Sequence, residues 1–193
     1  MNIVLLNGSP NKNGDTAFLL NKIAETVKEL GCTASVEYVQ ALLNDCKTPF
    51  CLDCSKPCNQ SCYKGTLLAA LFDKMISADA IVVGSPVYFG TVSAQIKALF
   101  DKTRALRADR ALLGKACAAV AVGASKYGGQ QLTVRAIHDM ALVQGMTVVS
   151  DSAEEVAEGM GHSGVCAQKP ARVDEYAIKR CEVLGTRLCQ LLL

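Results

Sequence analysis

Short, wholly apolar runs alternate with longer stretches of helical period along the first 150 residues, and no other feature limits the fold of this chain as much. A strand made only of apolar residues must be covered on both faces, which is the habit of a parallel sheet flanked by crossover helices. Residues 2–6, Asn-Ile-Val-Leu-Leu, read as a first buried strand. Leu20, Ile23, Ala24, Val27 and Leu30 then recur at helical spacing, and Gly31 stands where a helix C-cap belongs. Residues 33–39 alternate as a second strand, residues 80–83 form a third that ends at Gly84, residues 115–123 a fourth and residues 146–150 a fifth. Between these, Val92, Ile96, Leu99, Phe100 and Thr103 make a helical stripe, and residues 130–144 read as a helix. Ala177, Cys181, Leu184, Leu188 and Leu191 share one face of a terminal helix, while residues 151–172 show no clear period.

No repeat, low-complexity tract or linker interrupts the chain, so residues 1–193 are expected to form a single domain with a cysteine-rich loop at 46–65. The expected architecture is α/β: a flavodoxin-like three-layer sandwich around a five-stranded parallel sheet of order 2-1-3-4-5. In such sheets a ligand lies outside the carboxyl ends of the strands, at the switch point beside strand one. The loops after strands one, three and four are therefore the ones to read.

Composition removes several function classes. With 20 Lys+Arg against 18 Asp+Glu the net charge is +2, and the densest basic stretch, residues 102–110, contains an acid, so no nucleic-acid footprint is present. The apolar segments fall well short of the roughly 20 residues that span a bilayer. The first residues lack the features of a secretory signal, so a cytoplasmic location is expected. There, ten cysteines are not five disulfides.

After strand one comes Asn7-Gly-Ser-Pro-Asn-Lys-Asn-Gly-Asp-Thr16 and then a helix. Gly and Asn permit tight backbone turns, the helix start offers unpaired N–H groups, and Ser9, Asn11, Asn13 and Thr16 add side-chain donors. A phosphate suits this loop, although it is neither a Walker A loop nor G-x-G-x-x-G. A plain polar turn that caps its helix is the competing reading, and Asp15 favours it because a carboxylate repels phosphate. Strand three runs into Gly84-Ser-Pro-Val-Tyr-Phe-Gly-Thr91. Pro86 stiffens this loop, Tyr88 and Phe89 offer flat apolar surface, and Gly90 permits close approach, as a ring-binding loop requires. The alternative is an ordinary turn with both aromatics in the core.

Together, Asn7-Gly-Ser-Pro with Gly14-Asp-Thr16, and Gly84-Ser-Pro-Val-Tyr-Phe-Gly90 leading to Ile96-Lys-Ala-Leu-Phe-Asp101, resemble the NAD(P)H-dependent FMN reductases of flavodoxin-like fold, including the iron-sulfur flavoproteins. The resemblance covers nearly the whole chain. It implies FMN, with its phosphate on Ser9, Asn11, Gly14, Asp15 and Thr16, and its isoalloxazine against Pro86, Val87, Tyr88, Phe89 and Gly90. It also implies that the loop after strand four, with Ser125, Gly128 and Gly129, borders the ring. Family members commonly carry Asn where Asp15 stands and often a basic residue at Asn11. Both departures weaken the positive complement to the phosphate.

Five cysteines, Cys46, Cys51, Cys54, Cys58 and Cys62, fall within 17 residues. Thiolates at that density suit a metal centre. Three readings stay open. Cys51, Cys54, Cys58 and Cys62 resemble the [4Fe–4S] ligands of iron-sulfur flavoproteins, with a spacing of two, three and three in place of the usual pattern. Cys51, Cys54 and Cys62 also match the C-x2-C-x7-C pattern of the clusterless branch. Structural zinc is the third reading. The remaining five cysteines read as small buried hydrophobes. His138 reads as a surface or capping residue, and His162 lies in the irregular segment.

The resemblance thus implies an enzyme in which NAD(P)H reduces FMN and the reduced flavin passes electrons to a small-molecule acceptor such as a quinone, a free flavin or a metal centre. A cluster would relay single electrons, with ferredoxin as an alternative donor. A non-catalytic electron carrier or thiol-based sensor on the same fold is the rival. No catalytic side chain is required, since the flavin itself carries the redox step. A homodimer or homotetramer is expected from the resemblance and from the apolar tail that ends in three leucines.

Overall fold

The computed structural model describes residues 1–152 and 163–191. Strand β1 (Asn2–Asn7) leads into helix α1 (Asp15–Glu29), then β2 (Thr33–Tyr38), α2 (Val39–Asn44) and α3 (Leu67–Ser77). Next come β3 (Ala80–Pro86), α4 (Ala94–Lys102), α5 (Arg104–Ala108), β4 (Ala116–Gly123) and α6 (Gln130–Val143). Strands β5 (Thr147–Val148) and β6 (Val165–Gln168), a 3-10 turn (Ala171–Val173) and α7 (Glu175–Leu191) complete the described chain. The helices α2, α3 and α5 have no counterpart in the periodicity of the sequence.

All strand pairs are parallel and the order is β2-β1-β3-β4-β5, the flavodoxin-like arrangement. The period of two in each strand sorts side chains between two cores. Ile3 and Leu5 of β1, Ala80 and Val82 of β3, and Ala118 and Val120 of β4 pack with α1 and α7. Val4 and Leu6, Ile81 and Val83, and Cys117 and Ala119 pack with α3, α4 and α6. This two-sided burial is why the inner strands are apolar without interruption.

The fifth place in the sheet differs from expectation. It is shared by two short strands: β5 pairs Ala116 and Cys117, and β6 pairs residues 120–123 of β4. The sheet therefore has six strands, not five. The chain leaves the sheet where Asp151 turns into a buried ion pair with Arg180 of α7, whose Nε donates to Asp151 Oδ2 at 2.5 Å and whose Nη2 donates to Asp151 O at 2.8 Å. Four residues of β6 within a glycine-rich stretch are too few to show a period. His138 differs as well: it is buried on α6, and burial holds its pKa below the ordinary imidazole value. His162 and the last two leucines lie outside the described residues. No described helix is long and apolar enough to cross a membrane.

Candidate functional site

The loops after β1, β3 and β4 meet at the carboxyl edge of the sheet, and backbone hydrogen bonds lock them together. Gly8 N donates to Gly84 O at 2.8 Å, and Ser93 Oγ donates to Gly8 O at 2.7 Å. A Cβ on Gly8 would lie 2.2 Å from Ile96 Cγ1 and 2.9 Å from Gly84 O, so only glycine lets these two loops approach so closely. Ser85 Oγ accepts from Ser93 N at 2.9 Å, and both serines are buried. On the other side, Val87 N donates to Val122 O at 2.8 Å, and a Cβ on Gly129, at φ +99°, would lie 3.0 Å from Gly90 Cα.

The first loop is preshaped by its own side chains. Asn7 Oδ1 accepts from Ser9 N at 3.0 Å, Ser9 Oγ from Asn11 N at 3.1 Å, and Asn11 Oδ1 from Asn13 N at 3.2 Å. These are the short side-chain-to-backbone bonds that such residues favour in turns. Gly14 caps α1 without any side-chain hydrogen bond, so the helix opens with bare N–H groups and the positive end of its dipole. Ser9 and Thr16 are buried beside that terminus. The Asp15 side chain has a partner of its own. Its Oδ1 accepts from Ala171 N at 2.9 Å, so the carboxylate serves as a strut to the segment before α7. A carboxylate has no proton to offer a phosphate, and this bond turns the charge to a structural use.

The second loop presents its aromatics to solvent, which overturns the core alternative. Tyr88 and Thr91 exchange backbone hydrogen bonds of 3.0 and 3.1 Å around a two-residue turn with Phe89 at φ +50° and Gly90 at φ +77°. Both central residues at positive φ is the geometry of a type I′ turn, which a bulky aromatic occupies only under strain. Phe89 is fully exposed at its tip and Tyr88 is half exposed. Pro86 ends β3, and Ser125 O in the third loop accepts from Gly128 N at 3.1 Å and from Gln130 Nε2 at 2.6 Å. An uncapped helix terminus in one loop and exposed flat surface in the other, the two loops joined by the 2.8 Å bond from Gly8 N to Gly84 O, fit a phosphorylated ring such as FMN. Ser85 and Ser93 were not among the sequence candidates. Ser93 is the N-cap of α4, its Oγ accepting from Ile96 N at 3.4 Å, and a serine just ahead of the helical stripe is the signal that could have found it.

A wide cleft of about 1060 Å³ opens beyond the third loop, lined by Tyr127, Gly129, Gln131, Cys166, Asp174 and Tyr176 among others. It shares only Gly129 with the sequence candidates and so adjoins the cradle rather than forming it.

The cysteine loop between α2 and α3 is arranged otherwise. Cys46 is buried, with its Sγ 3.6 Å from Leu42 O and 3.8 Å from Thr66 Oγ1, a packing role. Arg104 of α5 reaches Cys51 and forms an ion pair with Asp53, which Lys56 also meets at 3.1 Å. Cys58 and Cys62 lie instead near Tyr63, a residue 2% exposed whose hydroxyl is buried without a partner. Burial, reinforced by those two thiols, pushes the Tyr63 phenol up to about 12. Cys54 is exposed. Among the described residues no three His, Cys, Asp or Glu side chains converge as a metal would need, so Cys51, Cys54, Cys58 and Cys62 do not fit a cluster in this arrangement.

A family model described as NADPH-dependent FMN reductase matches residues 1–159. An iron-sulfur flavoprotein of Methanocaldococcus jannaschii is 34% identical over 98% of this chain and 96% of its own length. An NAD(P)H dehydrogenase (quinone) of Chromohalobacter salexigens is 41% identical over 93 residues, 47% of this chain and 46% of its own. Among solved structures, a flavodoxin-type WrbA-like protein from Agrobacterium tumefaciens superposes with a TM-score of 0.70 at 18% identity, covering 99% of this chain and 96% of that one.

Proposed function

The chain belongs to the NADPH-dependent FMN reductase family, and from that premise we propose that this FMN-dependent oxidoreductase takes electrons from NAD(P)H and delivers them to a small acceptor of the quinone type. The observation that carries the reading is the interlock of the first two loops: Gly8 N on Gly84 O and Ser93 Oγ on Gly8 O hold a bare helix terminus and an exposed aromatic turn in one cradle. The chemistry FMN supplies when bound is acceptance of a hydride and donation of electrons onward. The protein's residues bind and orient. N–H groups at the start of α1, with the Ser9 and Thr16 hydroxyls, would hold the phosphate. Pro86, Val87, Tyr88, Phe89 and Gly90 would hold one edge of the ring, and Ser125, Gly128 and Gly129 would close the other.

A quinone as acceptor is supported by the name of the Chromohalobacter salexigens relative, and the open cleft beside Gly129 leaves room for one. A [4Fe–4S] relay is supported by the name of the Methanocaldococcus jannaschii relative and by four cysteines in twelve residues. Among the described residues no three such side chains converge, which speaks against it as the loop now stands, so no electron step is routed there.

The test is oxidation of NADH and of NADPH by FMN-loaded protein, with and without a soluble benzoquinone. Consumption that depends on FMN and rises with the quinone is the expected result. Bound flavin with negligible turnover would overturn the enzyme reading and leave an electron carrier.

A further inference from the structure

Sulfur appears a second time on the opposite layer of the molecule. Cys32 follows the left-handed Gly31 at the end of α1, where Gly31 N donates to Lys28 O at 3.0 Å and Cys32 N to Val27 O at 3.1 Å. That cap fixes the backbone at Cys32. Cys189 lies in the last turns of α7, which runs along α1 so closely that a Cβ on Gly185 would stand 3.1 Å from Thr26 Cβ. The two Sγ atoms are 3.2 Å apart, although 157 positions separate them in sequence. Neither side chain is more than 9% exposed.

We infer that Cys32 and Cys189 form an oxidative modification site, a reversible disulfide that clamps α7 onto α1. An S–S bond measures about 2.05 Å, so the sulfurs must close by about 1.2 Å, a shift that modest side-chain rotation supplies because both helices are already in place. The oxidant is a hydroperoxide. Cys32, the more exposed of the pair, attacks the peroxide oxygen; the O–O bond breaks, a sulfenic acid forms, and water or an alcohol leaves. The sulfur of Cys189 then displaces the sulfenic hydroxyl, the S–S bond forms as the S–O bond breaks, and the thiol proton departs with that hydroxyl as water. Two thiols lose two protons and two electrons, and the peroxide is reduced. Burial and the adjacent Cys32 push the Cys189 thiol up to about 12, so it enters the second step as the protonated thiol.

The cross-link would tie the tail of a helix whose other contacts support the sheet edge. Arg180 and Arg187 of α7 hold Asp151 and Ser152, and the turn before α7 takes the Asp15 strut. Closing so long a loop restricts chiefly the unfolded chain, so the oxidised protein resists heat better than the reduced one.

The experiment treats the intact protein with hydrogen peroxide, alkylates free thiols under denaturing conditions and digests with trypsin plus a glutamyl endopeptidase. Residues 30–37 and 188–193 are then released as separate peptides with one cysteine each. The expected product is these two peptides joined, lighter than their sum by two hydrogens and separated again by a reductant, with a higher thermal midpoint that Cys189→Ser and Cys32→Ser each abolish. Recovery of both peptides alkylated and unlinked, while Cys51, Cys54, Cys58 or Cys62 are oxidised, would overturn the inference. So would an equal rise of the midpoint in Cys189→Ser. Neither outcome bears on FMN binding, which a flavin titration of the same samples reads separately.

Discussion

The cradle and the cysteine loop are both irregular segments next to strand ends or helix starts, yet they are built by opposite means. In the cradle, backbone and serine bonds of 2.7–2.9 Å join the first two loops to each other and the second to the end of β4 before any ligand is considered. In the cysteine loop, charged contacts hold Cys51 toward Arg104 and Asp53, while Cys58 and Cys62 gather near an unpartnered buried phenol. A preorganised site meets its ligand with its ordering cost already met by folding, whereas a dispersed set of ligands must be ordered by what it binds. The difference separates loops held by their own bonds from a loop in which no three thiols or other ligating side chains converge.

The largest effect is expected from Gly8→Ala. Its Cβ would collide with Ile96 and with the Gly84 carbonyl, so we expect overpacking that costs about 1–3 kcal/mol in thermal or denaturant unfolding, with FMN retention lost. Normal FMN binding in this variant would break the claim that the two loops need that close approach. Ser93→Ala removes the donor to Gly8 O and the N-cap of α4; a loss of about 1 kcal/mol and roughly tenfold weaker FMN binding are expected by flavin-fluorescence titration.

Phe89→Ala sharpens the comparison because the side chain is fully exposed and supports no core. FMN affinity should fall by about tenfold, as loss of ring-face contact predicts, while the unfolding midpoint stays within about 0.5 kcal/mol of the parent. A stability loss without an affinity loss would return this residue to a structural role. Asp15→Asn keeps the acceptor oxygen for Ala171 N and removes a negative charge from the phosphate's neighbourhood, so FMN should bind a few-fold more tightly with little change in stability. The smallest effect on FMN belongs to the other region: Cys58→Ser with Cys62→Ser should leave the flavin titration unchanged. Iron and acid-labile sulfide, measured on anaerobically prepared protein, would drop in that variant only if the loop reassembles around a cluster.

Much of the cradle was legible in the residues. Gly, Asn and Ser in the first loop announce tight turns and donors, and Pro86 through Gly90 announce a stiff loop with flat surface. What escaped was anything that depends on a partner far along the chain. Asp15 reads as a misplaced charge beside a phosphate until Ala171, 156 positions away, is seen to donate to it. Cys32 and Cys189 each read as a small buried hydrophobe, because a lone thiol in sequence carries no sign of the other. The aromatic turn was undecided for a similar reason: whether Tyr88 and Phe89 face the core or solvent depends on left-handed backbone at Phe89 and Gly90, which residue type alone does not impose.

The sequence by itself determined the parallel sheet, its order and the polar and glycine-rich loops at its carboxyl edge. Apolar runs, helical period and turn residues are local properties, and burial on both faces follows from them. Only the tertiary structure decided that the fifth place in the sheet is shared by β5 and β6, that no three of the loop cysteines converge, and that Asp15 braces the segment before α7. Each of these turns on which distant groups meet, and a carboxylate, a thiol or a four-residue strand takes its role from whatever packing brings within about 3 Å of it.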